Sequence, residues 1–286
     1  MIDLIQKRLA EYNSSGLLDE ENALKEIVQE IILFALWRAD FFEVAAFQGG
    51  TSLRILHGMS RFSEDIDFIL REPNPGFQWR PHLDKIAETC EEFGIAPEVL
   101  DKQRMDSNVK AALIKDTSIA NQLNLRFYNQ KSDKRLTIKL EIDANPPAGS
   151  DFEYTYLSFP VDYEVCHQDP SSNFAFKIHT LLCRPYLKGR DWYDFNWYIA
   201  QNISPKIELL QNALVQWGPW ERQDINVDGA WLVDTLRDKM TSIDWRAAAA
   251  DVERFLKPVE QKSLQLWSER FYLYKLERLN ELLGGK

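Results

Sequence analysis

From about Asp19 to Asp40, Leu24, Ile27, Val28, Ile31, Ala35 and Leu36 fall at helical spacing. The pattern predicts a long amphipathic helix with one buried stripe, and Asp19 stands where an N-cap would. A shorter helix is predicted over 2–12, broken by Asn13-Ser14-Ser15-Gly16. The aromatic run FFEVAAF, Phe41 to Phe47, reads as a buried strand ended by Gly49-Gly50. Thr51 to His57 then allows one or two helical turns before Gly58. Ile66 to Leu70 predicts a strand, 73–81 a loop rich in proline, and 82–94 a helix closed by Gly94. Strand-like runs follow at 97–101, 109–115, 123–128 and 135–143. In the last, Leu136, Ile138, Leu140 and Ile142 face one way and Thr137, Lys139, Glu141 and Asp143 the other.

After about residue 170 the alternation of period two disappears. Helical patterns fill 173–184, 191–201, 205–217, 228–240, 245–256 and 259–283, with no internal repeat. The chain therefore reads as an α/β N-terminal half followed by an all-helical C-terminal half.

Composition narrows the classes. The 286 residues are 45% hydrophobic and 27% charged, which excludes disordered and low-complexity chains. A net charge of -10 argues against coating nucleic acid by bulk charge, though not against a local basic groove. Cys90, Cys166 and Cys183 form no C-x-x-C pair, and the four histidines lack zinc-site companions. The N-terminus carries charge too early for a signal peptide, and the longest apolar run at helical spacing, Ile31 to Trp37, is far too short to span a bilayer. A soluble, cytoplasmic protein without a membrane partner is the expectation.

The chemistry concentrates between Gln48 and Leu70, QGGTSLRILHGMSRFSEDIDFIL. Gly49 and Gly50 allow close backbone approach, and the following helix start offers free N–H groups. With the hydroxyls of Thr51 and Ser52 they form a candidate phosphate cradle. A Gly-Gly turn alone is more often structural. Asp65 and Asp67, two apart on a predicted strand, share one face roughly 6.6 Å apart along the backbone. Paired carboxylates repel unless a cation neutralises them, and Mg²⁺ prefers oxygen ligands while keeping waters or substrate phosphates. A lone D-x-D is commonly a solvated pair. A glycine turn some fifteen residues upstream turns it into a platform for a metal and a nucleotide, with Arg54 and Arg61 between to balance charge.

The string GGTSLRILHGMSRFSEDIDF resembles the signature of the AbiEii-type nucleotidyltransferases. These are toxins of bacterial abortive-infection toxin–antitoxin pairs, within the DNA-polymerase-β-like nucleotidyltransferase superfamily. The superfamily's Gly-Ser element is matched by Gly50-Thr51-Ser52. The family's R-x-S-x-D-I-D is matched by Arg61, Ser63, Asp65, Ile66 and Asp67. A second family block, a lysine helix, an arginine and an R-D-x-x-D helix, is matched in FKIHTLLCRPYLKGRDWYDF. Lys177, Arg184, Arg190, Asp191 and Asp194 carry it, with Phe176 where many members have glutamate. The resemblance covers roughly residues 20–205. It implies a nucleotidyltransferase-fold mixed sheet with flanking helices over 1–165, and a helical domain over 166–286 completing the active-site cleft.

The residues of the second block also make sense by themselves. Lys177 and Arg184 are seven apart and would share a helix face, both within reach of phosphates. Gly189 would break that helix, leaving Asp191 near the next helix start, where N-capping is its plain role. Asp194 lies on the same face as Asp191, and the two acids would orient the lysine or accept a proton. Trp192, Phe195 and Ile199 have core spacing. For a third carboxylate on a neighbouring strand, Glu141 and Asp143 are both on the polar face. Glu141 is preferred because strand interiors position side chains better.

The resemblance implies transfer of a nucleotide from an NTP to RNA, at the tRNA 3′ end, with Mg²⁺ or Mn²⁺ on Asp65, Asp67 and Glu141. The turn Gly49–Ser52, Arg54, Arg61, Ser63 and Arg184 would bind the nucleotide. Lys177, Asp191 and Asp194 would complete the catalytic set, and a cognate antitoxin encoded nearby would be the protein partner. Arg54, Arg61, Lys177, Arg184, Lys188 and Arg190 are the candidates for a basic RNA groove. Two other classes remain beside it. One is a non-catalytic nucleotide- or partner-binding protein of the same fold. The other is a metal-dependent phosphohydrolase, which the polar Arg61-Phe62-Ser63-Glu64 lead-in disfavours, since its D-x-D normally ends an apolar strand.

Overall fold

The computed structural model describes residues 1–102, 108–127 and 136–284. They form two compact units, one of Met1–Pro146 with Phe152–His167, the other of Pro147–Asp151 with Gln168–Lys286.

The first unit opens with α1 (Ile2–Glu11) and α2 (Leu17–Trp37). A short 3₁₀ turn, Phe41–Glu43, leads into β1 (Ala45–Gln48), then α3 (Gly49–His57), β2 (Ile66–Leu70) and α4 (Arg80–Glu92). Next come β3 (Glu98–Asp101), β4 (Val109–Asp116), the single turn α5 (Ile119–Gln122), β5 (Leu136–Asp143), β6 (Phe152–Leu157) and β7 (Tyr163–Gln168). The strands make one seven-stranded sheet in the order β3-β4-β5-β2-β1-β7-β6. It is mixed. β1 runs antiparallel to β2, whereas β2–β5 and β1–β7 are parallel. Ile66, Phe68, Leu140 and Ile142 fill the buried face of the two central strands, as the alternation requires.

α2 is buried more completely than a single stripe predicts. Glu20, Glu26, Gln29 and Glu30 lie inside as well as its apolar residues. Each is admitted by a specific partner, the condition for burying a polar group. Glu30 receives Arg8 of α1 at 2.7 Å, and Glu26 receives the Tyr12 hydroxyl at 2.9 Å. The helix starts from Gly16, not from Asp19. Asp19 sits in the first turn and reaches back to accept the Ser15 amide at 2.9 Å.

Two expected strands need correction. The strand expected over Phe41–Phe47 begins only at Ala45, because Asp40 adopts a left-handed backbone and throws Phe41–Glu43 into a 3₁₀ turn. The run 123–128 is not a strand over its described residues 123–127. Its amides bond to side chains instead of a ladder: Asn124 to Gln6, and Arg126 and Phe127 to the buried Glu20 carboxylate at 2.7 and 3.0 Å. Residues 128 and 135, at the edges of two expected strands, lie outside the described residues. Two strands escaped the pattern altogether, β6 and β7.

The second unit is helical: α6 (Pro170–Cys183), α7 (Gly189–Ala200), α8 (Ile207–Gln216), α9 (Gly229–Thr241), α10 (Trp245–Glu253), α11 (Pro258–Gln261) and α12 (Glu269–Leu282). The helix expected over 259–283 is broken. Trp267 turns extended and buries its ring, and Ser268 restarts the chain by capping α12 through the Phe271 amide. Trp192, Phe195 and Ile199 are core residues, with Trp192 edge-on to Trp245 and Tyr272. Cys90, Cys166 and Cys183 are free and buried. Among the described residues no helix is long and apolar enough to cross a membrane.

Candidate active site

In the first unit the site is built by register. Gln48, the last residue of β1, pairs with Asp67 on β2, and Asp67 pairs on its other side with Glu141 on β5. Paired positions present their side chains to one face, so Asp67 and Glu141 are neighbours there. Asp65 stands just before β2 on the same face, and both aspartates are partly open to solvent.

The glycine turn closes over this row. Gly49 has a φ of 75°, and a Cβ there would stand 2.6 Å from Asp67 Oδ2. Both facts exclude a side chain: the backbone is left-handed, and the space belongs to the carboxylate. A Cβ on Gly50 would instead collide with the Arg61 guanidinium, which is buried at 3% exposure and donates to Phe62 O at 3.0 Å. Gly49→Ala is therefore expected to cost about 1–3 kcal/mol of stability and to displace Asp67. Gly16→Ala, with open space around it, should be tolerated. Urea unfolding of the two variants checks this; equal midpoints would contradict the close approach.

The hydroxyls do something other than expected. Thr51 Oγ1 donates to Asp65 O, and Ser52 Oγ donates to Gly49 O at 2.8 Å. They lock the turn to the strand that carries the acids. Arg54 is also a brace. Its Nε meets Glu26 at 2.8 Å, its Nη1 donates to Met59 O and Ser60 O, and its guanidinium covers the Phe62 ring. Ser63 and Glu64 offer their carbonyls to the Nε2 of Gln29, both at 3.0 Å. Gln29 was not legible as a site residue, because nothing local links it to a loop so distant in sequence.

Lys139 was likewise missed. It lies two residues before Glu141 on the same face and pairs with it at 2.7 Å. Burial works against its charge, but Glu141, Asp65 and Asp67 outweigh that and raise its pKa above the ordinary lysine value. The alternating pattern could have shown Lys139 beside Glu141, but not that a long side chain would settle among the acids. Asp143 differs. It pairs with Ile69, its Oδ1 caps the turn by accepting the Asn145 amide at 2.9 Å, and burial raises its pKa. Of the two candidates for a third carboxylate, Glu141 has the register.

Among the described residues no three His, Cys, Asp or Glu side chains are gathered as a ready metal cage. The donor set nonetheless suits a hard cation: Asp65, Asp67 and Glu141 offer only carboxylate oxygens, in a partly open position, with an ammonium already drawn to them.

The helical unit holds the second group. Lys177 on α6 meets Asp191 Oδ1 at 2.8 Å and Asp194 Oδ2 at 2.9 Å. Arg184 takes the other oxygen of Asp191. Burial pushes the Asp191 carboxyl up, but Lys177 and Arg184 hold it below the ordinary carboxylate range. The expected shared helix face of Lys177 and Arg184 is corrected here. α6 ends at Cys183, and Arg184 is extended because Pro185 follows it. Gly189 does not break α6. It opens α7, where a Cβ would strike the Ala248 carbonyl of α10. Lys188 is the N-cap, so Asp191 is free of the capping role and serves the ion cluster.

The sequence matches the family model for the nucleotidyl transferase AbiEii toxin of type IV toxin–antitoxin systems over residues 31–272. That places the protein in a class of nucleotidyltransferase toxins. More narrowly, the chain belongs to the AbiEii family. No curated protein matches it. Among solved structures it is similar to an H. pylori protein whose name assigns it to the nucleotidyltransferases. The two share 16% identity at a TM-score of 0.49, over 90% of this chain and 91% of that one. It is also similar to JHP933 from Helicobacter pylori, at 16% identity and a TM-score of 0.49, over 92% of each chain.

Proposed function

We propose that the protein transfers a nucleotide from an NTP to an RNA hydroxyl, with the tRNA 3′ end as acceptor, and that a cognate antitoxin restrains it. What supports this reading above all is the packing of the Gly49 turn on Asp67, which brings the glycines beside a row of carboxylates.

In this reading Asp65, Asp67 and Glu141 hold Mg²⁺ or Mn²⁺. The bound ion supplies Lewis-acid stabilisation of charge on the transferring phosphoryl group. Backbone amides at Gly49–Ser52 hold the triphosphate, and Arg61 underpins the turn from the side of Gly50. The acceptor oxygen attacks the α-phosphorus, the bond to the β-phosphate oxygen breaks, and pyrophosphate leaves. Glu141 accepts the proton of the acceptor hydroxyl. Lys177, oriented by Asp191 and Asp194, neutralises phosphate charge.

The test is incubation with each α-labelled ribonucleoside triphosphate and total RNA, followed by gel separation. Label in the tRNA band is the expected result, and label in no RNA species overturns the reading. Nucleotide bound but never transferred would favour a binding protein, and release of orthophosphate a hydrolase. Chelation of divalent ions should stop labelling but leave the melting temperature nearly unchanged, since Lys139 already offsets the clustered acids. A large fall in melting temperature on chelation would contradict that role for Lys139.

A further inference from the structure

Within the helical unit, a cavity of about 170 Å³ is enclosed by the end of α6, the 184–188 segment, the start of α7 and the end of α9. Arg184, Lys188 and Lys239 line it. Its one lining carboxylate, Asp191, is already shared by Lys177 and Arg184. Among the described residues the Lys188 ammonium finds no hydrogen-bond or ion-pair partner, although the residue is half-buried. The Lys239 ammonium reaches, among the described residues, only Arg184 O, at 3.4 Å. Burial, and then Arg190 and Arg184, press the Lys188 pKa below the ordinary lysine value, with Asp191 the one group opposing them. Two under-partnered ammonium groups in one recess of a chain with net charge -10 are a costly arrangement unless an anion completes it.

The size and the rim say which anion. The cavity falls below the roughly 300–1,000 Å³ of pockets that enclose a whole small molecule, so it suits one tetrahedral group. At its edge stands Tyr186, 64% exposed, with the Arg184 guanidinium 5.2 Å over its ring. An exposed ring backed by a guanidinium is a surface on which a base stacks.

We propose that this recess binds a phosphate of a nucleotide unit, with Lys188 and Lys239 on the phosphate oxygens and Tyr186 under the adjoining base. A recess that holds one phosphate and opens at an aromatic ring fits a link of an RNA strand better than a triphosphate tail. The inference deepens the proposed function by giving the acceptor a hold. It rests on that function only for the identity of the strand, because it uses neither the glycine turn nor the acid row.

The test is anisotropy of a labelled single-stranded oligoribonucleotide on the full chain without divalent ions, across a salt series, with inorganic pyrophosphate as competitor. Lys188→Ala and Lys239→Ala should each weaken binding several-fold and lower the salt slope by about 1. Lys239→Arg should retain binding, and Lys7→Ala, an exposed lysine of the other unit, should change nothing. Thermal melts confirm that the variants fold. If the lysine variants lose pyrophosphate but keep the oligoribonucleotide, the strand assignment is overturned in favour of a free nucleotide. Unchanged binding of both probes overturns the site. Should the wild type transfer no nucleotide while the lysine variants still lose the oligoribonucleotide, the proposed function fails and the recess stands.

Discussion

Asp67→Asn is expected to lower nucleotidyl transfer by about three orders of magnitude or more while the protein stays folded. The substitution keeps shape and removes a charge from the centre of the row between Gln48 and Glu141. It also changes the atom facing Gly49, where Asp67 Oδ2 fills the space a Cβ would need. A thousand-fold loss corresponds to about 4 kcal/mol of transition-state stabilisation, in the range for groups acting on developing phosphoryl charge. Single-turnover labelling with saturating NTP separates this from weaker binding. Activity within tenfold of wild type would remove Asp67 from the chemistry.

The second large effect concerns the fold of the helical unit. Lys177→Met should destabilise it by about 3–5 kcal/mol, because Asp191 and Asp194 would be left buried without their shared ammonium. Adding Asp194→Asn should recover part of the loss, since Asp194 is 0% exposed and its charge would be removed. Denaturant midpoints of the three proteins measure it, and a single variant as stable as wild type would show that the ammonium does not hold the acids. A pH dependence follows. Asp191 is held below the ordinary value of 3.8, so its contribution is complete above that value and is lost as pH falls through the lowered one. In Lys177→Met the decline should begin at higher pH, because desolvation then acts with one counter-charge fewer.

The central strands were legible because one face of each is buried and one is not. Ile138, Leu140 and Ile142 alternate with Lys139, Glu141 and Asp143 in sequence as in space. β7 hides the same signal, since nearly all of Tyr163–Gln168 is buried and the alternation is lost. β6 is a largely exposed edge strand, whose Phe152, Tyr154 and Tyr156 alternate with Glu153 and Thr155 on a face that the fold does not bury. Leu123, Leu125 and Phe127 do alternate, yet Gln6 and Glu20 take the amides a strand would need. The acids and glycines of the candidate site were visible as residue types at fixed spacing. The acceptors chosen by Thr51, Ser52 and Arg54 were not, because each is a carbonyl or carboxylate brought close only by folding.

The loop that leads into β2 hangs from Gln29 and, through Arg54, from Glu26, both on α2. The row of acids is therefore not a portable cassette. Transplanting residues 45–70 into a foreign sheet would carry the motif and leave behind the beam from which it is suspended. A designer borrowing this chemistry would have to borrow the long helix with it, and Arg8 and Tyr12, which partner its buried acids.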